Sequence, residues 1–351
     1  MTTLEPREVR ECLEEVQRFK GPRPFYDVHV HPFDVIFQSL RYRRLPHQAG
    51  VYGHDGSPFM APQLGPVRLR GPVLPESSYR PSFFMVVVRR LFRHTGPRVL
   101  GEQMALAGID RTLLLPVAPT TGSNEWEMDA IQEMFGDDPR FLVAVSVPNS
   151  VAPSGIAPFI SRYVATRGVR AVKLHPAITG IDLGSGPGRE RTEAMLDGCR
   201  ESGVPLIVHG GRSYPVRDPR VGLYACIRNL AGIKWRDARV PVVIAHAGCY
   251  GCTLEEMERE VLPTLDTMLS ANENLLVDIS ALEHDALALV LERVGVERML
   301  FGSDALYEPP WSAMVKLTMA LRVNRMDPEA SLRRVAGLNP SRFLSLECRP
   351  C

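Results

Sequence analysis

Five of the nine histidines in this 351-residue chain fall at the carboxyl ends of short apolar runs. His29 and His31 stand in Tyr26-Asp-Val-His-Val-His-Pro32, and His175 in Val172-Lys-Leu-His-Pro176. His209 closes Leu206-Ile-Val-His, and His246 closes Val243-Ile-Ala-His. A carboxylate takes the same place in Phe301-Gly-Ser-Asp304. Imidazole nitrogen with carboxylate oxygen is a donor set suited to zinc or a similar divalent ion. One histidine at a strand end is ordinarily a hydrogen-bonded structural residue; several converging with an aspartate make a metal centre. His29 and His31 are two apart, so in an extended strand both leave the same face. Buried imidazoles are costly without partners, and a shared cation would be one.

What must bring these residues together is a repeated unit: a short β-branched run, a break, then a helix-length amphipathic stretch. The runs are Phe25–Val30, Arg111–Val117, Phe141–Val147, Arg170–His175, Val204–His209, Pro241–His246, Leu275–Ser280 and Arg298–Ser303. Each is nearly continuously apolar, as parallel strands covered on both faces are. Helical stretches fall between them, among them Asn124–Phe135, Arg189–Ser202, Thr253–Ser270 and Ala281–Val294. Eight strands alternating with helices predict an α/β fold, a (β/α)₈ TIM barrel, with an open doubly wound sheet as the rival. In such a barrel the carboxyl ends of all strands share one mouth, so residues distant in sequence meet there.

Two segments break this rhythm. Residues 1–24 read as an amphipathic helix and a Gly-Pro-Arg-Pro linker, serving as a lid on the barrel's N-terminal face or as an oligomer contact such as a homodimer's. The barrel domain is read as 25–351. Within it, 33–98 is a long insertion after the first strand, carrying ten arginines against Asp34, Asp55 and Glu76. A basic lid over the mouth favours an anionic small-molecule substrate; the plainer reading is a solvated surface excursion. The chain as a whole carries 41 basic and 40 acidic residues, a net charge of +1, which gives no bias toward nucleic acid or anionic membrane. No run approaches the ~20 apolar residues of a membrane span. Seven scattered cysteines and a charged N-terminus without an apolar leader fit a reduced, cytoplasmic setting.

At these motifs the sequence resembles the amidohydrolase superfamily, in the branch related to aminocarboxymuconate-semialdehyde decarboxylase. The shared marks are Asp27-x-His-x-His31, His209 after an apolar strand, His246-Ala-Gly, Gly302-Ser-Asp304 and Asn339-Pro-Ser-Arg342-Phe, in family order along nearly the whole chain. The resemblance implies that His29, His31, His209 and Asp304 hold one metal, zinc or alternatively manganese, with His246 as the acid/base beside it. Catalysis would then rest on His246 and Asp304. A bound divalent ion brings the pKa of its water toward ~7, Asp304 would accept that proton, and His246, near an ordinary value of about 6.5, would move another.

Lys173 lies two residues before His175, so both face inward or neither does. A lysine inside a barrel requires an anionic partner, a lowered pKa or covalent neutralisation. Lys173-Leu-His-Pro is similar to the dihydroorotase motif, whose lysine is carboxylated and bridges two metals, although His175 replaces the expected tyrosine. Otherwise Lys173 and His175 would bind a substrate carboxylate, or pair with Asp304. The favoured function is a metal-dependent hydrolase acting on a small carboxylated or cyclic substrate, a lactone or an amide. A non-oxidative decarboxylase at the same site and a catalytically silent metal-binding scaffold are its rivals, and a nuclease is weaker for want of a basic stripe.

Three further features are read as incidental. Cys249-x-x-Cys252 and Cys348-x-x-Cys351 have zinc-ligand spacing but no evident common location. Gly184-Ser-Gly-Pro-Gly188 is a flexible βα loop without the lysine of a phosphate loop. Trp126, Trp235 and Trp311 are packing residues, Trp311 following Asp304 closely enough to line a pocket.

Overall fold

A computed structural model of the protein describes residues 3–33, 64–69, 95–213 and 219–345. Eight parallel strands run in chain order: β1 Tyr26–Val30, β2 Arg111–Leu114, β3 Phe141–Val145, β4 Ala171–Leu174, β5 Leu206–Val208, β6 Val242–Ile244, β7 Leu275–Asp278 and β8 Met299–Leu300. All eight predicted runs contain strands, most of them ending earlier than the apolar run. The barrel closes where β8 meets β1: Val28 N–H donates to Phe301 O at 3.0 Å and Asp304 N–H to His29 O at 2.9 Å. The TIM-barrel reading holds.

The interior is filled by alternate residues of different strands. Val28, Leu113, Ala144, Ala171, Ile207, Val243 and Leu300 pack together, and Phe343 joins them. The opposite faces, with Leu114, Val145, Val172, Val208, Ile244 and Val277 among them, pack in the layer that includes the surrounding helices. This two-sided burial is why the strands read as continuous apolar runs rather than alternating ones. Asn339 explains the C-terminal motif: its carboxamide donates to Val296 O and Met299 O, both at 2.8 Å, and so anchors the chain leading into β8.

The β1–β8 seam uses two devices. Asp27 is fully buried and accepts from Ser303 N at 3.0 Å and Ser303 Oγ at 2.5 Å, which binds the first strand to the last. Gly302 supplies the clearance, because a Cβ there would stand 2.8 Å from His29 Cβ and 3.2 Å from Ser280 Cβ. Its motif neighbour Asp304 then turns into the left-handed region at φ 62°, which aims the carboxylate across the seam.

Helix α1, Pro6–Lys20, buries Val9, Cys12, Leu13 and Val16. It is tied by Lys20 to Asp110 at 2.6 Å, by Arg333 Nε to Phe19 O at 2.7 Å, and by Glu15 to Arg322. Thr3–Leu4 pairs antiparallel with Val67–Arg68, so a piece of the insertion runs beside the N-terminus. The rest of the predicted basic lid, 34–63 and 70–94, lies outside the described residues, as do Cys348 and Cys351. One prediction fails outright. Residues 186–188 are not loop but the first turn of helix Gly186–Ser202, with Ser185 capping Gly188 N at 3.0 Å. Pro187 in that first turn fits a helix start, a signal that the glycine count obscured. Trp311 is buried in the core beside Gly65. Among the described residues no helix is long and apolar enough to cross a membrane.

The seam generates an expectation. Gly302→Ala forces a methyl against His29, and overpacking of this kind costs about 1–3 kcal/mol. It should lower the urea midpoint without changing the slope of unfolding; an unchanged midpoint would show that the seam relaxes freely.

Candidate active site

His29 lies within β1 and His31 one residue past it, and their Nε2 atoms approach to 3.2 Å. Asp304 Oδ1 stands 3.5 Å from each. These three groups make one potential metal-holding set. The protonation of the rings follows from what their other nitrogens meet. His29 Nδ1 lies 2.9 Å from Asp278 Oδ2, and His31 Nδ1 lies 2.7 Å from Leu115 O. Both neighbours can only accept, so both Nδ1 atoms carry the proton and donate. His29 Nε2, which accepts from Lys173 Nζ at 3.0 Å, and the Nε2 lone pair of His31 therefore face each other beside a carboxylate oxygen. A cation shared between them removes that repulsion, and a carboxylate behind a ligating histidine is the usual support of such a site.

His209 joins by a second relay. His246 Nδ1 donates to Ser280 O at 2.8 Å, which leaves its Nε2 as acceptor for His209 Nδ1 at 3.1 Å. His209 Nε2 is then a bare, buried nitrogen without a hydrogen-bond partner among the described residues. An orphaned, buried imidazole lone pair fits the metal that the sequence implies. The residues suit the ion; His29, His31, His209 and Asp304 are the ones that would hold it.

Burial governs the charges here. It lowers His29 to about 4 and His246 to about 3, aided by the charges of Lys173 and His29 respectively. His31, His175 and His209 also lie well below the ordinary histidine value, with burial again the first cause. The expectation that His246 titrates near 6.5 is thereby corrected: buried at the barrel mouth, it is neutral at physiological pH. Burial pushes the Asp304 carboxyl well above its usual range, with Lys173 opposing. Lys173, also fully buried, is lowered to about 8.

Lys173 points inward as its spacing from His175 predicted, and its Nζ contacts His29 Nε2 at 3.0 Å. The expected Lys173–Asp304 pair is not made; among the described residues no carboxylate is in ion-pair contact with Lys173, because β4 delivers the ammonium to the His29 side of the cluster. His175 stacks on His209 with ring centroids 4.0 Å apart and planes at 17°, and its Nδ1 caps the helix Pro176–Thr179 by accepting from Ile178 N at 3.4 Å. Cys249 and Cys252 are free thiols.

Sequence reasoning passed over Asp278, Ser280 and Tyr250. Asp278 and Ser280 end the seventh run two residues apart, the same spacing as His29 and His31, and that repetition was the available signal. Tyr250 lies with its ring 5.4 Å from His209 and 4.9 Å from His246. No local pattern marked it.

A family model described as Amidohydrolase matches residues 26–346. This chain belongs to that amidohydrolase family. No relative is found among curated proteins. Among solved structures, an amidohydrolase from Burkholderia multivorans with bound zinc has a TM-score of 0.55 at 14% identity, covering 92% of this chain and 99% of its own. A manganese complex of 5-carboxyvanillate decarboxylase from Novosphingobium aromaticivorans, with 4-hydroxy-3-methoxy-5-nitrobenzoic acid, has a TM-score of 0.54 at 17% identity, covering 92% and 96%. A 2,6-dihydroxybenzoate decarboxylase from Rhizobium has a TM-score of 0.51 at 14% identity, covering 78% and 96%. At these identities the amidohydrolases share the barrel fold with this chain.

Two outcomes test the relays. His209→Ala should lower metal content measured by mass spectrometry after dialysis, and Asp278→Asn should weaken metal binding by about 10–100-fold, as loss of an outer-shell carboxylate does. Full metal in His209→Ala would remove it from the ligand set. The pH dependence has a definite sign. Protons compete with the ion for Nε2 only as pH falls toward the lowered histidine values, so metal should be retained through pH 6 and released toward pH 4. Release centred near 6.5 would mean that the histidines are not held down by burial.

Proposed function

We propose that this amidohydrolase is a metal-dependent lyase that decarboxylates a small aromatic carboxylic acid without an external oxidant. The observation that carries this reading is Lys173: a buried ammonium 3.0 Å from His29 Nε2 with no carboxylate in contact among the described residues. An ammonium in that position calls for an anion, and a substrate carboxylate supplies it. The neighbours named above include two decarboxylases of aromatic acids, one with a benzoic acid analogue bound. Flat rings line the site here as well: His175 stacked on His209, Tyr250 against His209 and His246, and Tyr307 edge-on to His31 at 6.3 Å. Such walls suit a planar substrate.

One divalent ion, zinc or manganese, would be held by His29, His31, His209 and Asp304, and when bound it supplies Lewis acidity to the substrate's oxygens. The protein's own groups do the rest. Lys173 binds and orients the carboxylate. The bond from ring carbon to carboxylate carbon breaks, CO₂ leaves, and a proton takes its place on the ring. Asp304 is the group we assign to carry that proton, since its turn at φ 62° aims it at His29 and His31. His246 stays neutral and holds His209 in the tautomer that leaves Nε2 bare.

The sequence favoured a hydrolase, and the products separate the two. With metal-loaded enzyme and a panel of hydroxylated benzoic acids in D₂O, a lyase releases CO₂ and leaves deuterium on the ring. A hydrolase acts instead on lactones or amides and incorporates solvent oxygen. Turnover on lactones or amides alone would overturn the lyase assignment, and no turnover on either set would favour a silent scaffold. Asp304→Asn should retain part of the metal and lose most turnover. Two metal ions per chain would bring in a carboxylated Lys173.

A further inference from the structure

Tyr250 is held against the site by backbone, not by its own side chain. Gly211 bridges Tyr250 in parallel and Arg212 N–H donates to Tyr250 O at 2.7 Å, so the segments after β5 and β6 run side by side. Their approach is as close as glycine permits. A Cβ on Gly211 would stand 2.5 Å from both Tyr250 N and Tyr250 O, and one on Gly210 would stand 2.8 Å from Ala245 O and from Gly248 Cα. Gly211 also adopts φ +105°, which strains any other residue. The two glycines after His209 are thus the reason that Tyr250 can lie over His209 and His246.

The ring of this half-buried residue meets His209 at 66° and His246 at 45°. Phenylalanine would pack there as well. The hydroxyl is what phenylalanine lacks, and it has no hydrogen-bond partner among the described residues. The residue is only partly buried, so a ligand that enters the site can replace water at that hydroxyl. Several other polar groups around the site are committed: His246 to Ser280 and His209, His31 to Leu115, and Ser280 to Asp278. Tyr250 is the neutral donor left over beside the two histidines.

We propose that Tyr250 is a specificity-determining residue whose hydroxyl donates a hydrogen bond to a ring oxygen substituent of the substrate, selecting hydroxylated aromatic acids over unsubstituted ones. This rests on the aromatic-acid reading above and adds to it the position at which the ring is read. Lys173 on β4 takes the carboxylate, and Tyr250, beyond β6, takes a second oxygen across the His209 ring. The donated hydrogen bond discriminates because a substrate without that oxygen leaves the phenol unsatisfied.

The test uses metal-loaded, full-length protein, with benzoate and its three monohydroxy isomers as probes and calorimetry as the readout. Wild type should bind one isomer more tightly than benzoate. Tyr250→Phe should reduce that preference by about three- to tenfold, the worth of a single neutral hydrogen bond, with metal content unchanged. A preference that survives in Tyr250→Phe overturns the role of Tyr250 alone. Equal binding of benzoate and all isomers by wild type does the same, without recourse to the variant. Binding of none of the four by wild type overturns the aromatic-acid reading, and the assignment of Tyr250 falls with it.

Discussion

The buried carboxylate of Asp278 accepts from His29 Nδ1, from the backbone N–H groups of His246 and Ser280, and from the Ser280 hydroxyl. Burial by itself would raise this carboxyl; the neighbouring His29 and His246 and the hydrogen bonds donated by His29 and Ser280 outweigh it and hold the group far below the usual range. A carboxylate so placed is strongly stabilised as an anion, and removing its partners would leave an uncompensated charge. Two of the histidines at the mouth are held directly by this group. It fixes the tautomer of His29, locks the turn that carries His246, and through His246 sets the tautomer of His209. The His31 tautomer is set separately, by Leu115 O, and that of His246 by Ser280 O, two residues beyond Asp278.

The barrel geometry makes that arrangement possible. Short strands delivered by well-packed helices end at a common rim, and several functional residues lie just past the last strand pair rather than within it. His246 and Asp304 both occupy left-handed backbone conformations, at φ 56° and 62°. Such conformations cost of order 1–3 kcal/mol each and persist only where the surroundings over-determine them. Here the surroundings are the Asp278 hydrogen bond to His246 N and the β8–β1 seam, where Asp304 N–H donates to His29 O.

Electrostatically the site is a set of neutral imidazoles gathered round two carboxyl groups and one ammonium. Burial strips the histidines of charge, which keeps them competent as ligands, and the same burial raises Asp304 and lowers Lys173. Those two groups respond in opposite directions to one cause, because burial disfavours the charged form of each. Asp27, raised to about 7 chiefly by burial, lies outside this chemistry and serves the seam.

Much of this was legible in the sequence because barrel strands are buried on both faces and announce themselves as apolar runs. The period-two geometry of a strand is enough to put His29 with His31, and Lys173 with His175, on common faces. Glycine and histidine motifs at the strand ends point to the family and mark the donor positions by residue type alone. Tertiary structure decided what local pattern cannot encode. Asp278 resembles any acidic strand end until its distance to His29 is known. His246 carries the same letters as a free histidine, yet burial takes it from about 6.5 to about 3. The glycines after His209 read as a turn, and only the approach of Tyr250 shows what they make room for. Spacing along one strand is a local property; hydrogen-bond partners, desolvation and close backbone contacts belong to pairs of segments far apart in the chain.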